Sequence, residues 1–191
     1  MALFNQFSNL PFIPFNIAMK LRENEELWKI LKYKGYDCLS VKNANLTMEE
    51  KTNFIWKNQT NAQDYRVFLT DLNGDSLADG VTMLYIYERA IEPTNHIISI
   101  GSYEFDIITG GREGLIEYEG IPCSRSIVLK MFILQALNGV VVSGVGTLQF
   151  NRQLSRWCNS ETTLGNNKTF NGCKFIMSTL VTDVNEVDNC D

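Results

Sequence analysis

Val81-Thr82-Met83-Leu84-Tyr85-Ile86-Tyr87-Glu88-Arg89 and, after Pro93, Ile97-Ile98-Ser99-Ile100-Gly101-Ser102-Tyr103-Glu104-Phe105-Asp106-Ile107-Ile108 are two strand-forming runs in succession. The first is apolar on both parities, with Val81, Met83, Tyr85 and Tyr87 on one and Leu84 and Ile86 on the other. That pattern belongs to a central or doubly covered strand. The second alternates cleanly in its latter half, with Tyr103, Phe105 and Ile107 against Glu104 and Asp106. Alternation of this kind predicts one buried and one solvated face.

Downstream, Ser124 or Cys123 is placed to cap a helix that runs through Leu137. Its residues Ile127, Val128, Leu129, Met131, Phe132, Ile133, Leu134, Ala136 and Leu137 leave little polar face, so it is expected to lie buried across the sheet. Gly139 ends it. Val145–Phe150 and Thr169–Thr182 read as two further strands, with Asn151–Lys168 mostly loop. Upstream, Ile17, Leu21, Leu27, Trp28 and Leu31 mark one helical stripe from Asn16 to Lys32, and Pro14 suits its first turn. Thr47-Met48-Glu49-Glu50 is a capping box opening a shorter helix whose apolar side is Phe54, Ile55 and Trp56. Tyr65–Thr70 reads as a strand, and the Asn73-Gly74 and Gly74-Asp75 pairs after it mark a turn. The order is helix, helix, strands, one buried helix, strands. It predicts an α+β fold: a mixed or antiparallel sheet of about four to five strands, one buried helix packed on it, and N-terminal helices.

The chain has 191 residues, 45 % apolar and 20 % charged, which suits one well-buried core. Three parts are expected: an irregular apolar arm over 1–15, a single domain over 16–182, and a loose acidic tail over 183–191. The arm carries Phe4, Phe7, Phe12 and Phe15 and either packs on its own domain or docks on a neighbour. A net charge of −5 with no basic block argues against direct, sequence-specific nucleic-acid binding. No apolar run reaches the roughly 18–20 residues of a membrane helix. The start, Met1-Ala2-Leu3-Phe4-Asn5, lacks the regions of a signal peptide.

Reactive motifs are sparse. Cys38, Cys123, Cys158, Cys173 and Cys190 are odd in number and widely spaced, which suits reduced thiols packed as small hydrophobes. His96 is the sole histidine and sits after a proline turn. Asp71, Asn73, Asp75 and Asp79 resemble part of a calcium loop, but the EF-hand spacing fails and a polar hairpin turn explains the same residues. The glycine-rich loops at Gly110–Gly114 and Ser143–Gly146 lack the strand-before, helix-after setting of a phosphate cradle. Glu104, Asp106, Glu113, Glu117 and Glu119 read as a solvated sheet edge; paired carboxylates also do acid–base chemistry, which leaves a small hydrolase as one alternative and a calcium-dependent module as another. The expected set is therefore empty for catalysis, cofactor and metal.

The order Ile17–Lys32, Val81–Ile108, Ser124–Leu137, Val145–Phe150 and Thr169–Thr182 resembles that of neck proteins in tailed bacteriophages, especially the tail terminator or tail completion proteins. A local similarity adds to it. Ile17-Ala18-Met19-Lys20-Leu21, Asn24-Glu25-Glu26-Leu27-Trp28-Lys29-Ile30-Leu31-Lys32-Tyr33, Asp37-Cys38-Leu39-Ser40 and Asn45-Leu46-Thr47 look like the opening of such proteins. The likeness covers most of the chain in element order and its first quarter in wording. The Asn151–Lys168 insertion and the phenylalanine-rich start go beyond the compact pattern. The resemblance implies a virion protein, assembled in the host cytoplasm, that forms a ring, a hexamer in the terminator case, joining the head and portal to the tail. A head-closure or adaptor ring of the same neck is the neighbouring implication. Its partners are further copies of itself and portal, neck or tail tube proteins, with no membrane involved. Interface candidates are Phe4, Phe7, Phe12, Phe15, Arg112, Glu113, Arg152, Arg156 and Trp157, since aromatic and arginine side chains serve as interface anchors.

Overall fold

The computed structural model describes residues 10–57, 64–71, 80–93, 98–110, 113–143, 145–156 and 170–182. The architecture is α+β, as the order of elements predicts. A five-stranded mixed sheet has the order β1-β2-β3-β9-β8, formed by Val67–Phe68, Thr82–Pro93, Ile98–Gly110, Phe170–Thr182 and Gln149–Phe150. β1 runs parallel to β2, and the remaining pairs are antiparallel. Two small ribbons stand apart from it: β4 (Leu115–Tyr118) with β5 (Ile121–Ser124), and β6 (Val141–Val142) with β7 (Gly146–Thr147).

β3 is the middle strand and pairs along its whole length with β9. The register puts Leu84, Ile86, Tyr103, Phe105, Ile107, Cys173, Phe175 and Met177 on one face, all buried in the main core. Phe105 and Phe175 stack there with centroids 4.9 Å apart. Close pairing at one end needs Gly172, where a Cβ would come within 2.2 Å of the Ile107 carbonyl oxygen.

The helices cover that face. The expected single helix over 16–32 is two. A 3-10 turn at Leu10–Phe12 leads into α1 (Ile13–Leu21), and α2 (Glu25–Lys32) follows after a break. The break is written in Asn24, whose side chain accepts from Leu27 N–H as a helix N-cap. Trp28 Nε1 then donates to Leu21 O at 2.9 Å, closing the C-terminus of α1 from inside the core. The helix reaches back into the segment expected as an irregular arm: Ile13 and Pro14 are buried, while Phe12 and Phe15 point outward.

α3 (Met48–Asn53) opens with the predicted capping box, Thr47 accepting from Glu50 N–H and the Glu50 carboxylate accepting from Thr47 N–H. Phe54, Ile55 and Trp56 lie beyond its end instead of forming its apolar side; Ile55 makes a parallel bridge to Val67. Lys51 is buried and held by Glu25 and by Arg22 O.

α4 (Arg125–Leu137) packs on β3, β9, α1 and α2. Ser124 occupies its N-cap position but makes no capping hydrogen bond; its hydroxyl meets that of Ser126 instead. The strand expected over 145–150 is broken at Leu148, so only β8 joins the main sheet. α5 (Arg152–Ser155) is a short helix inside the expected loop, with Asn151 as its N-cap. Cys38 and Cys173 are buried free thiols and Cys123 is half-buried; Cys158 and Cys190 lie outside the described residues, as do His96 and the tail over 183–191.

Arg125 joins these parts. Its guanidinium is buried and donates from Nη1 to Ile30 O (3.1 Å) and Tyr33 O (2.9 Å), and from Nη2 to Gly35 O (2.5 Å). Glu113 lies 3.4 Å away and also accepts from Gly35 N–H. Replacing Arg125 by Met removes every guanidinium donor, leaves buried carbonyls without that partner and leaves the Glu113 charge without a cation. The expected loss is about 3–5 kcal/mol of unfolding free energy. Urea titration reads it, and a loss below about 1 kcal/mol would show that water replaces the guanidinium.

Candidate functional site

The sheet face away from the helices carries Met83, Tyr85, Tyr87, Ile108, Glu104, Asp106, Lys174 and Ile176. Glu104 and Asp106 were expected on a solvated edge. They are 3 % and 0 % exposed, because β3 is the central strand and the neighbouring strands bring cations to them. Lys174 on β9 stands 2.9 Å from Asp106 and 3.4 Å from Glu104. Arg89 reaches Glu104 from the bulge between Glu88 and Ala90 in β2. Tyr87 donates to Glu104 at 2.7 Å.

Burial pushes the Glu104 carboxyl up, but hydrogen bonds from Tyr87 and Arg89 and the charges of Lys174 and Arg89 outweigh it and hold it below the ordinary value. Asp106 goes the other way. Burial exceeds what Lys174 returns, Oδ1 has no hydrogen-bond partner, and its carboxyl sits above the ordinary value. Two carboxylates face two cations, so the cluster is close to neutral. It reads as a cross-strand clamp more readily than as an acid–base pair.

At the β8 end of the same face lies a cavity of about 490 Å³. Ile100, Ser178 and Leu180 form its floor, and Gln149, Arg152 and Gln153 stand around it. Leu180 is 60 % exposed. Ser178 is fixed by Ser102 and by Asn151 Nδ2. Among the described residues Arg152 is the only cation in the lining and has no ion pair. A neutral amide-and-hydroxyl wall, one guanidinium and an apolar floor together suit a ligand with a carboxylate, an amide backbone and an apolar side chain.

The helix side offers a different surface. β4 and β5 meet in a two-residue turn, Glu119-Gly120, both with positive φ (52° and 78°), the pattern of a type I′ hairpin turn. Tyr118 packs edge-on against Phe132 of α4, with centroids 5.8 Å apart, and holds the ribbon to the helix layer. Ile121 is 60 % exposed beside the turn. Glu117 and Glu119 share a groove of about 460 Å³ with Glu26 and Asp37. Along α4, Ile127 is 55 % exposed, while Met131 and Leu134, further along the helix, are half-buried and pack against the main core.

Of the expected interface residues, Phe12, Phe15, Arg152 and Arg156 are exposed or half-exposed. Glu113 turns inward to Gly35 and Arg125, so it braces the chain. Phe4, Phe7, Arg112 and Trp157 lie outside the described residues, as do positions 72–79 of the calcium-like loop. Sequence reasoning passed over Leu180, Gln149 and Gln153. The alternation of Thr147, Gln149, Asn151 and Gln153 was the available signal. Among the described residues no group of three or more His, Cys, Asp or Glu is arranged to hold a metal, and no helix is long and apolar enough to cross a membrane.

A family model, YomW, matches residues 24–179. No curated protein and no solved structure matches the chain.

Two substitutions separate the roles of the carboxylates. Glu104, with its folded pKa depressed, contributes stability that is present above its unfolded value and is lost as pH falls through the folded one. Glu104→Gln is therefore expected to cost about 2 kcal/mol at neutral pH, and the deficit narrows as the solution is acidified through the carboxylate range. Asp106 is raised, so its ionised form opposes folding above the carboxylate range. Asp106→Asn is expected to cost less than Glu104→Gln at neutral pH, because relief of a buried charge offsets part of the lost Lys174 pair, and its stability relative to the wild type falls on acidification. Chemical denaturation across pH measures both. At the hairpin, Glu119→Asn puts a residue suited to positive φ at the turn and is expected to raise stability by about 0.5 kcal/mol in thermal melts. A fall in melting temperature would show that the glutamate side chain supports the turn.

Proposed function

The chain belongs to the phage-derived YomW family, and on that premise we propose that it is a structural protein of a tailed-phage virion neck. In this reading it assembles as a ring in the manner of a tail terminator and joins the head and portal complex to the tail. It works by fit against its own copies and against portal, neck or tail tube proteins, with no catalysis of its own. Its place is the virion, after assembly in the host cytoplasm.

One observation carries the reading: apolar side chains stand exposed on α4 and the ribbon packed beside it, Ile127 at 55 %, Leu115 at 59 % and Ile121 at 60 %. A helix that meets only water on its outer side carries polar residues there. Exposed apolar side chains shared by a helix and the ribbon beside it suit a neighbouring subunit. The rigid sheet beneath fits the same role, because a ring subunit must hold its contact surfaces at a fixed angle. The Glu104–Lys174–Asp106 cluster favours it over the hydrolase alternative, since both carboxylates are already committed to cations.

Mass photometry and negative-stain imaging of the purified chain test the proposal. Closed rings of equal subunits, hexameric in the terminator case, are the expected result. Ile127→Glu is expected to dissolve them while leaving the melting temperature within about 2 °C, since the side chain is on the outer surface. A chain that stays monomeric and binds neither portal nor tail tube protein counts against the proposal.

A further inference from the structure

The pocket at the β8 end of the sheet and the β4–β5 turn lie on opposite sides of the molecule. The pocket floor, Ile100, Ser178 and Leu180, belongs to the sheet face away from the helices, while the turn rides outside the helix layer on Phe132. They cannot meet within one chain. Their chemistry is nonetheless matched. The turn presents a carboxylate at Glu119, a bare peptide at Gly120 and an exposed apolar side chain at Ile121. The pocket presents a guanidinium at Arg152 with no ion pair among the described residues, amide side chains at Gln149 and Gln153, and an exposed apolar floor at Leu180.

We infer that the Glu119-Gly120 turn of one copy seats in the β8–β9 pocket of the next. Glu119 meets Arg152, the Gly120 peptide meets the glutamine amides, and Ile121 covers Leu180. The occupant is a second copy of this chain. Size permits it: about 490 Å³ is ample for the end of a two-residue turn and lies in the range of about 300–1,000 Å³ usual for ligand pockets. Charge favours it: among the described residues the pocket lining has one cation and no carboxylate, and the groove beside the turn has four carboxylates and no cation. Two different patches in contact make a heterologous interface, which generates a ring when the rotation closes. The inference rests on the assembly reading above and adds the residues that would build it.

Glu119 sharpens the case. Glutamate with positive φ sits where asparagine or glycine is easier. If its carboxylate serves the next subunit, Glu119→Asn should stabilise the isolated chain and weaken association together, a pairing that a purely structural role would not give.

Sedimentation velocity over a range of concentrations reads the outcome on the full chain for the wild type, Glu119→Arg, Arg152→Glu, the double exchange and Glu119→Asn. Each charge-reversed single variant is expected to weaken association at least about tenfold, as close interfacial charge pairs do. The double exchange, which restores opposite charges in swapped positions, is expected to recover most of it. A wild type that assembles while both single variants assemble equally well overturns this contact and leaves the assembly reading standing. A double exchange no better than the singles also overturns the contact. A wild type that stays monomeric at millimolar concentration removes both.

Discussion

The arrangement of helices over the sheet depends on one buried guanidinium. Arg125 enters at the first turn of α4 and donates to Ile30, Tyr33 and Gly35 carbonyls, groups that the end of α2 leaves without helical partners. Lysine has no planar fork and would serve fewer of them. Glu113 completes the set from the start of the β4–β5 ribbon and bonds Gly35 N–H as well. Three segments far apart in sequence are thereby fixed to one another. The angle of the ribbon and the outward turn of α4 both follow from that fixture, and so does any surface they build jointly.

The sheet has two chemically distinct faces, and the distinction begins in β3. Tyr103, Phe105 and Ile107 go into the helix-covered core, while Glu104 and Asp106 go to the other side. On that other side one end is an apolar cluster, Phe68 stacking on Tyr85 with centroids 4.8 Å apart, the middle carries the Glu104, Asp106 and Lys174 charges, and the β8 end mixes Ile100 and Leu180 with hydroxyls and amides. Such a surface is dry in one region and hydrogen-bonding in another. A face of this kind can hold its strands by ion pairs and still leave a polar hollow at the β8 end.

Much of the fold was readable because the strongest signals are periodic. Both faces of β2 being apolar announced a covered strand, and Thr47 with Glu50 announced the start of α3. The reading failed where a local capping signal competed with a longer period. Asn24-Glu25-Glu26 was a helix start in plain view, but the stripe from Ile17 to Leu31 ran through it. The alternation of Glu104 and Asp106 was taken for contact with water, and only the sheet order explains why it is not. Their counterions come from Arg89 and Lys174, neither adjacent in sequence. The pocket was invisible for the same reason, since Ile100, Gln149 and Leu180 become neighbours only once β9 lies between β3 and β8.

The pairing of β3 with β9 has a consequence for the birth of the protein. Thirteen residues of the central strand find their partner in a segment some seventy residues later. During synthesis, β2, β3 and α4 leave the ribosome before β9 does, and until then the edge of β3 that β9 takes has no partner strand among the described residues. Such an edge is a template for wrong pairing between nascent chains. Distant pairing of this kind also slows folding, because the loop must close before any contact repays it. Premature termination ahead of β9 would therefore yield a sticky fragment.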